Sequence, residues 1–258
     1  MEIKPSSFEK PQSNYIEVIR KPNINEAISM ATAKINEALG DAKFRQTPTL
    51  FMLSGGSALK LLNGIDTENL GPNVTVTVLD ERYSKDPDKN NFAQVVKNSF
   101  YNEAKEKGCA FIDTRVQAEE TQVDLAERFN RNLSEWFRRN PEGKVIATVG
   151  VGPDGHTSGI MPYPNDPDNF NKTFNKGPED FVVSYDATGK NDIPERVTTT
   201  PALLRKLSTA VVFVTGENKR DALAHLLANE GSINKTPARI LKEIPGKVSL
   251  VTDLDISA

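Results

Sequence analysis

Short runs of apolar and β-branched residues alternate along this chain with longer segments whose apolar residues recur at helical spacing. The short runs predict strands, and the longer segments predict helices between them. The predicted strands are residues 49–53, 74–79, 145–149, 181–185, 211–215 and 248–252, and the predicted helices are 23–39, 58–62, 91–101, 120–139 and 218–227. Because short apolar strands separated by helices are typical of parallel sheets, we expect an α/β fold: a Rossmann-like, mainly parallel sheet with helices on both faces.

Two segments show how far the pattern extends. In the first predicted helix, apolar residues recur from Ile24 to Ile35, and Asn23 with Glu26 resembles a capping box at its start. Residues 161–180 are instead rich in Pro, Asn, Asp and Gly, which predicts an irregular loop beside any site at the strand ends.

Bulk composition excludes several classes of function. A net charge of −3, a pI near 5.6 and the lack of a basic run argue against a nucleic-acid partner. No apolar stretch is long enough to span a bilayer, so we expect no membrane partner and a cytoplasmic location. Cys109 is the only cysteine and the chain has two histidines, so neither a disulfide framework nor a metal site is expected. With no internal repeat or break in composition, residues 1–258 are predicted to form a single domain, as a monomer or small homo-oligomer.

A glycine- and serine-rich turn follows the first predicted strand. Ser54, Gly55, Gly56 and Ser57 stand between that strand and a predicted helix. Unpaired backbone N–H groups and the helix dipole favour an anion there, and the glycines let it approach closely. The turn predicts a phosphate site, although the same residues also suit a simple tight turn.

Charged residues stand near three other strand positions. Asp80 and Arg82 directly follow the uncharged strand 74–79, and Arg82 could hold a phosphate or carboxylate by a two-pronged contact. Lys219 lies in the first turn of a predicted helix, where the helix dipole favours anionic side chains. A lysine at this position is explained if it faces a bound anion. A solvated lysine is the equally simple alternative. Arg196 is a further basic candidate.

The run from Gly150 to Thr157 offers the clearest chemistry. It follows a predicted buried strand and places His156, with Asp154 two residues before it, on a glycine-rich turn. Ligands of open α/β sheets bind at such turns. The run also matches the dinucleotide motif G-x-G-x-x-G. However, the loop-like segment after it lacks the helix, strand and acidic residue that a nicotinamide site requires, so acid–base chemistry by His156 is the better interpretation.

Together these segments resemble the 6-phosphogluconolactonases, within the sugar-phosphate isomerase group that also contains glucosamine-6-phosphate deaminase. The matching segments occur in the family order over most of the chain; they are Leu53-Ser54-Gly55-Gly56-Ser57, Asp80-Glu81-Arg82, Val149-Gly150-Val151-Gly152-Pro153-Asp154-Gly155-His156-Thr157, Arg196-Val197-Thr198 and Val214-Thr215-Gly216-Glu217-Asn218-Lys219.

The resemblance implies a fold of the sugar-phosphate isomerase type and hydrolysis of 6-phosphogluconolactone to 6-phosphogluconate in the pentose phosphate pathway, with a sugar-phosphate lactone as the small-molecule partner and no metal or organic cofactor. His156 would then be the general base that activates water, oriented by Asp154. Backbone N–H groups from Gly152 to Gly155 are the expected oxyanion donors. The implied substrate- and phosphate-binding residues are Ser54, Gly55, Gly56, Ser57, Asp80, Arg82, Gly155, Arg196 and Lys219.

The chain departs from the usual family pattern at two places. Thr-Pro commonly follows the serine-glycine turn, where this chain has Ala58-Leu59. After the His-Thr pair, the usual Ala-Ser-Leu-Phe-Pro reads Ser158-Gly159-Ile160-Met161-Pro162. Both changes bear on substrate affinity, and neither removes a group assigned to the chemistry.

Two alternative functions stay open. A glucosamine-6-phosphate deaminase, or a related aldose–ketose isomerase, would carry a glutamate five residues after the histidine, where this chain has Met161, and an aromatic residue in place of Arg82. Asp80 is then the only obvious proton shuttle. A non-catalytic sugar-phosphate sensor could keep the phosphate-binding residues, but would not need His156, and no room for a DNA-reading domain is expected before Asn23.

Overall fold

Seven parallel strands form the central sheet of the computed structural model, in which residues 15–255 are described. Its strands are β1 (Ile16–Arg20), β2 (Thr49–Leu53), β3 (Val74–Val78), β5 (Ala110–Phe111), β6 (Lys144–Gly150), β9 (Thr209–Val214) and β10 (Lys247–Thr252). They lie in the order β1-β10-β9-β6-β2-β3-β5. A second, antiparallel sheet has the order β4-β8-β7 and comprises β4 (Asp80–Arg82), β7 (Val182–Asp186) and β8 (Glu195–Thr199).

Helices cover both faces of the central sheet. The α-helices are α1 (Ile24–Phe44), α2 (Asn91–Lys97), α3 (Ser99–Glu106), α4 (Gln122–Arg139), α5 (Pro167–Phe174), α6 (Pro201–Leu204) and α7 (Arg220–Leu227), and 3-10 helices span Gly56–Gly64, Thr67–Asn69, Glu217–Lys219 and Pro237–Glu243. None of the helices within residues 15–255 is long and apolar enough to span a membrane.

Alternation along the strands builds two apolar layers. Phe51 packs on one face with residues of α1, α2 and α3. Its neighbours Leu50 and Met52 pack on the other face with α4 and α7. Because successive side chains of a strand point to opposite faces, one fully buried strand contributes to both layers. The predicted mainly parallel sheet with helices on both faces is confirmed.

The direction of the chain reverses between β2 and β6. From β2 the chain continues to β3 and β5 on one side, whereas β6 leads to β9 and β10 on the other. A crevice opens at such a point, outside the carboxyl ends of the two adjacent strands, because their connections leave in opposite directions. The serine-glycine turn and the histidine turn follow these two strands, so the topology brings them together.

Several predicted elements agree closely with the structure. Strand 49–53 coincides with β2, and Asn23 caps α1 by accepting the backbone N–H of Glu26 at 3.0 Å. The helix predicted over residues 91–101 is instead two helices, because Asn98 adopts an extended backbone and caps α3 through the N–H of Phe100. The prediction of a single domain over residues 1–258 stays a prediction.

Two expectations were wrong, and one strand was not predicted. The strand predicted at residues 181–185 belongs to the antiparallel sheet rather than to the parallel one. Residues 161–180 are not irregular throughout, because α5 forms within them and buries Phe170 and Phe174. Strand β1, which was not among the predicted strands, pairs with β10 along the edge of the sheet.

Candidate active site

Ser54 joins the two turns at the point where the sheet reverses. Its Oγ accepts the backbone N–H of Gly150 at 3.2 Å, and its own N–H donates to Oγ1 of Thr148 at 3.0 Å. These bonds tie the carboxyl end of β2 to that of β6. The serine-glycine turn and the histidine turn are therefore held in a fixed relationship across the crevice.

The 3-10 helix Gly56–Gly64 begins at this crevice without a side-chain cap. Gly55 is its N-cap residue, and it has no side chain that could accept the first N–H groups of the helix. Unpaired N–H groups at a helix start favour an anion. The turn therefore offers backbone donors where the sequence predicts a phosphate.

Lys219 reaches this turn from the start of α7. Its Nζ donates to Oγ of Ser57 at 3.4 Å. Burial lowers the pKa of Lys219, and the charge of Asp253 opposes that effect only in part. None of the ion pairs found among residues 15–255 includes Lys219. A half-buried cation without an adjacent carboxylate is an electrostatic cost that a bound anion relieves.

Strand β4 brings two arginines side by side. Arg82 pairs directly with Arg196 across the antiparallel β4–β8 ladder. Asp80 forms an ion pair with Arg196 at 2.6 Å, and both side chains are almost completely buried. Like charges that face each other across a sheet repel, and the carboxylate of Asp80 balances the charge of only one of the two arginines. Nε of Arg82 and Nε and Nη1 of Arg196 are buried without a hydrogen-bond partner among residues 15–255.

Glu81 points to the opposite side of β4 and was not predicted to be a functional residue. Its carboxyl group is fully buried and accepts the backbone N–H groups of Arg82, Asn91 and Phe92 at 2.7, 2.5 and 3.0 Å. The hydroxyl of Thr114 donates to it at 2.8 Å. Burial raises the pKa of Glu81 to about 8, against the lowering effect of these four hydrogen bonds. Glu81 thus fixes β4 to the start of α2.

The histidine turn positions an imidazole against a carboxylate. Nδ1 of His156 lies 2.5 Å from Oδ1 of Asp154. Burial raises the pKa of Asp154, but the hydrogen bond and charge of His156 outweigh it, so the net pKa lies below the ordinary value. Gly152 is required beneath the ring, because a Cβ at this position would lie 2.1 Å from the imidazole. A hydrogen on Nδ1 leaves Nε2 able to accept a proton.

These groups surround one pocket of about 210 Å³. Its lining contains most of the predicted site residues, namely Ser54, Gly55, Gly56, Ser57, Asp80, Arg82, His156, Arg196 and Lys219. Asp154 and Gly155 lie beside the pocket instead of in its lining, with Asp154 hydrogen-bonded to His156 and Gly155 packed against Thr236. Across residues 15–255, no group of three or more His, Cys, Asp or Glu side chains is placed to hold a metal ion.

Two of the predicted oxyanion donors, Gly152 and Gly155, are already engaged within the turn. Gly152 donates its N–H to the carbonyl of His156 at 2.9 Å, and Gly155 donates to the carbonyl of Gly152 at 3.0 Å. Pro153 has no N–H. These two N–H groups therefore stabilise the conformation of the histidine turn itself.

Besides Gly150, Val151, Gly152 and Pro153 of the histidine turn, the pocket lining contains three residues that sequence reasoning missed. Ser158 and Gly159 follow His156 directly, and the only signal was their departure from the family pattern. Asn91 lies on α2, where its Nδ2 donates to the carbonyl of Asp80 at 2.9 Å. No local pattern could have placed Asn91 in the pocket, because Glu81 and the packing of α2 bring it there.

Comparison with known proteins agrees with this geometry. The model of a family described as glucosamine-6-phosphate isomerases/6-phosphogluconolactonase matches residues 22–250. The chain belongs to this family. It is 26% identical over 174 residues to a 6-phosphogluconolactonase of Borreliella burgdorferi, covering 67% of this chain and 69% of that protein. It is 24% identical over 194 residues to a probable 6-phosphogluconolactonase of Dictyostelium discoideum, covering 72% and 76%.

Solved structures show the same fold. A 6-phosphogluconolactonase from Shewanella baltica superposes with a TM-score of 0.72 at 20% identity, covering 94% of this chain and 97% of that one. The 6-phosphogluconolactonase from Trypanosoma brucei has the same TM-score and identity, covering 92% and 96%. The fold of the sugar-phosphate isomerase type, expected from the resemblance, is confirmed by these neighbours of the glucosamine-6-phosphate isomerase/6-phosphogluconolactonase family.

Proposed function

We propose that this chain hydrolyses 6-phospho-D-glucono-1,5-lactone to 6-phosphogluconate. The observation that carries the proposal is one pocket that combines a carboxylate-held imidazole with three cations, Arg82, Arg196 and Lys219, and an uncapped helix start. A phosphorylated lactone needs both parts: a base for water and an anion site for the phosphate. Relatives named 6-phosphogluconolactonase support the choice of substrate.

In the proposed reaction, His156 acts through Nε2. The base takes a proton from water as the water oxygen bonds to the lactone carbonyl carbon. When the tetrahedral intermediate collapses, the bond from that carbon to the ring oxygen breaks, and the imidazolium returns the proton to the ring oxygen. Asp154 holds the Nδ1–H and stabilises the imidazolium. The carboxylic acid product then ionises and releases a proton to solvent.

The phosphate is proposed to lie over the serine-glycine turn. Backbone N–H groups of Gly55 and Gly56, the hydroxyl of Ser57 and the ammonium group of Lys219 would surround it. Arg82 and Arg196 would then lie near the remaining negative charge, with Asp80 orienting Arg196. A place in the pentose phosphate pathway and a cytoplasmic location are proposed on the strength of the same reaction.

Two observations favour hydrolysis over isomerisation or deamination. The carboxylate of Asp80 is committed to Arg196 at 2.6 Å, so it is poorly placed to shuttle a proton between carbons. Met161, which stands where a deaminase would carry glutamate, is completely buried in the apolar core. A sensor without catalysis would not need the His156–Asp154 pair.

The deciding experiment follows proton release from 6-phosphogluconolactone in weak buffer, against the spontaneous rate. We expect the wild type to accelerate opening and His156→Ala to lose roughly 10²–10⁴-fold in kcat. His225→Ala is the matched control, because His225 is exposed on α7 and should leave the rate unchanged. No acceleration by the wild type would refute the function, and full activity of His156→Ala would refute the base.

A further inference from the structure

Ser158, which lines the pocket, is a buried residue with a left-handed backbone conformation. Its φ is +50°, a left-handed conformation that side chains rarely adopt, and the residue is only 3% exposed. The other two non-glycine residues with positive φ in the described chain, Gln46 and Glu119, lie in exposed turns. Strained residues that the surrounding structure holds in place cluster at functional sites. Ser158 therefore merits a functional explanation.

The hydroxyl of Ser158 also lacks a hydrogen-bond partner in the part of the chain that the structure describes. The backbone around it cannot turn to supply one. Oγ1 of Thr198 donates to the carbonyl of Ser158, the hydroxyl of Tyr185 donates to the carbonyl of Gly159, and Thr157 forms bridges with Val151 and Ile160. A buried hydroxyl fixed without a partner in a pocket wall is suited to a partner that arrives with the ligand.

The neighbours of Ser158 identify which part of a ligand it would meet. Ser158 follows His156 by two residues, and a Cβ on Gly159 would lie 2.7 Å from Cβ of Asp80. Lys219 and Ser57, the groups proposed to hold phosphate, contact each other and line the same pocket. A neutral hydroxyl two residues from the proposed base suits a sugar hydroxyl, because it can both donate to such a group and accept from it.

We propose that Ser158 determines specificity by hydrogen-bonding a hydroxyl of the sugar portion of the substrate. The proposal deepens the proposed lactonase function and rests on it. The family pattern usually has alanine at this position, so the hydroxyl is a feature of this chain that the ordinary lactonase site does not supply. Asn91 lines the same pocket, and its Oδ1 is a second buried atom without a hydrogen-bond partner among residues 15–255.

The test uses the full chain and two probes, 6-phosphogluconate and inorganic phosphate, with binding measured by calorimetry. Ser158→Ala removes only Oγ and keeps the same backbone strain. We expect it to weaken binding of 6-phosphogluconate roughly 3–10-fold and to leave binding of inorganic phosphate unchanged. KM for the lactone should rise by a similar factor, with kcat nearly constant.

Thr199→Val is the matched control. Thr199 also buries an unpaired hydroxyl, but it does not line the pocket. It should bind both probes like the wild type, while its thermal stability changes in the same direction as that of Ser158→Ala, because each variant removes one desolvated hydroxyl. Weaker binding of 6-phosphogluconate by Thr199→Val would show that such substitutions act through the fold, which would overturn the proposal.

The remaining outcomes separate the two proposals. If the wild type hydrolyses the lactone but Ser158→Ala binds 6-phosphogluconate as tightly as the wild type does, the specificity role is wrong and the lactonase function stands. Equal weakening of both probes would assign Ser158 to the phosphate site and would also overturn the proposal. If the wild type neither hydrolyses the lactone nor binds 6-phosphogluconate more tightly than phosphate, both proposals fail.

Discussion

Oδ1 of Asp154 lies 2.5 Å from Nδ1 of His156 and also accepts the backbone N–H of the same residue at 3.1 Å. One carboxylate oxygen therefore holds both the ring and the backbone of the histidine. Residues only two positions apart can form both hydrogen bonds because the turn between them is tight. The backbone N–H groups of Gly152 and Gly155 are hydrogen-bonded within this turn. Asp154 fixes which ring nitrogen carries the hydrogen, and so which one faces the pocket.

Asp154→Asn is expected to lower kcat roughly 10²–10⁴-fold while KM changes little. The amide cannot stabilise an imidazolium by charge, and its NH2 group can turn toward Nδ1 and favour the wrong tautomer. Steady-state proton-release assays at neutral pH provide the measurement. A kcat within threefold of the wild-type value would show that His156 does not depend on this carboxylate.

Lys219→Met is expected to raise the melting temperature of the ligand-free protein and to remove the stabilisation by phosphate ligands. Burial lowers the pKa of Lys219, so the charged amine is less favourable in the folded than in the unfolded chain, and a bound anion reverses this. Melting curves with and without inorganic phosphate check both effects. Lys235→Met, a substitution in the turn before the 3-10 helix Pro237–Glu243 and outside the pocket lining, is the control. The idea would be wrong if phosphate stabilised the Lys219 variant as it does the wild type.

Asp80→Asn is expected to reduce the free energy of unfolding by about 3 kcal/mol, because it leaves the buried guanidinium of Arg196 without a carboxylate. Arg196→Gln should be similarly destabilising, since it strands the carboxylate of Asp80. The double variant should lose clearly less than the sum of the two single losses. Urea unfolding of all four proteins gives the coupling, and additive losses would mean that the two side chains do not stabilise each other.

Glu81 is expected to make the stability of the protein decrease as pH rises from about 5 to 8. Its pKa is about 8 in the folded chain, above the ordinary 4.5 that applies when it unfolds. Between these values the folded protein binds one more proton than the unfolded chain, so raising the pH favours unfolding. The stabilisation by Glu81 is fully present below the pKa of the unfolded chain. It is lost as the pH rises through the pKa of the folded protein.

Glu81→Gln provides the comparison for this pH dependence. Its amide oxygen can still accept the N–H groups of Arg82 and Asn91, while its NH2 group donates to Thr114 and faces the N–H of Phe92 unfavourably. We expect a loss of about 1–3 kcal/mol and a flatter stability curve between pH 5 and 8. If the curves of stability against pH for the wild type and Glu81→Gln are parallel, the pH dependence belongs to other groups.

The local sequence predicted the elements whose stability is local. Residues 49–53 form β2 because they are uniformly apolar and end at Ser54 and Gly55. Asn23 caps α1 because its side chain reaches the N–H of Glu26, three residues on. Where the outcome depended on distant partners, prediction failed: Val182–Asp186 is a strand by composition, but only its pairing with β8 made it antiparallel.

The candidate site divides in the same way. By itself, the sequence determined which residues stand at the carboxyl ends of strands, and therefore that His156, Ser57 and Lys219 would share one edge of a parallel sheet. Tertiary structure alone decided that Asp80 would pair with Arg196, 116 positions away, and that Glu81 would bring Asn91 into the pocket. The physical reason is range: capping and strand alternation act within a few residues, whereas burial, ion pairing and hydrogen-bond satisfaction are set by whatever the packed chain places alongside.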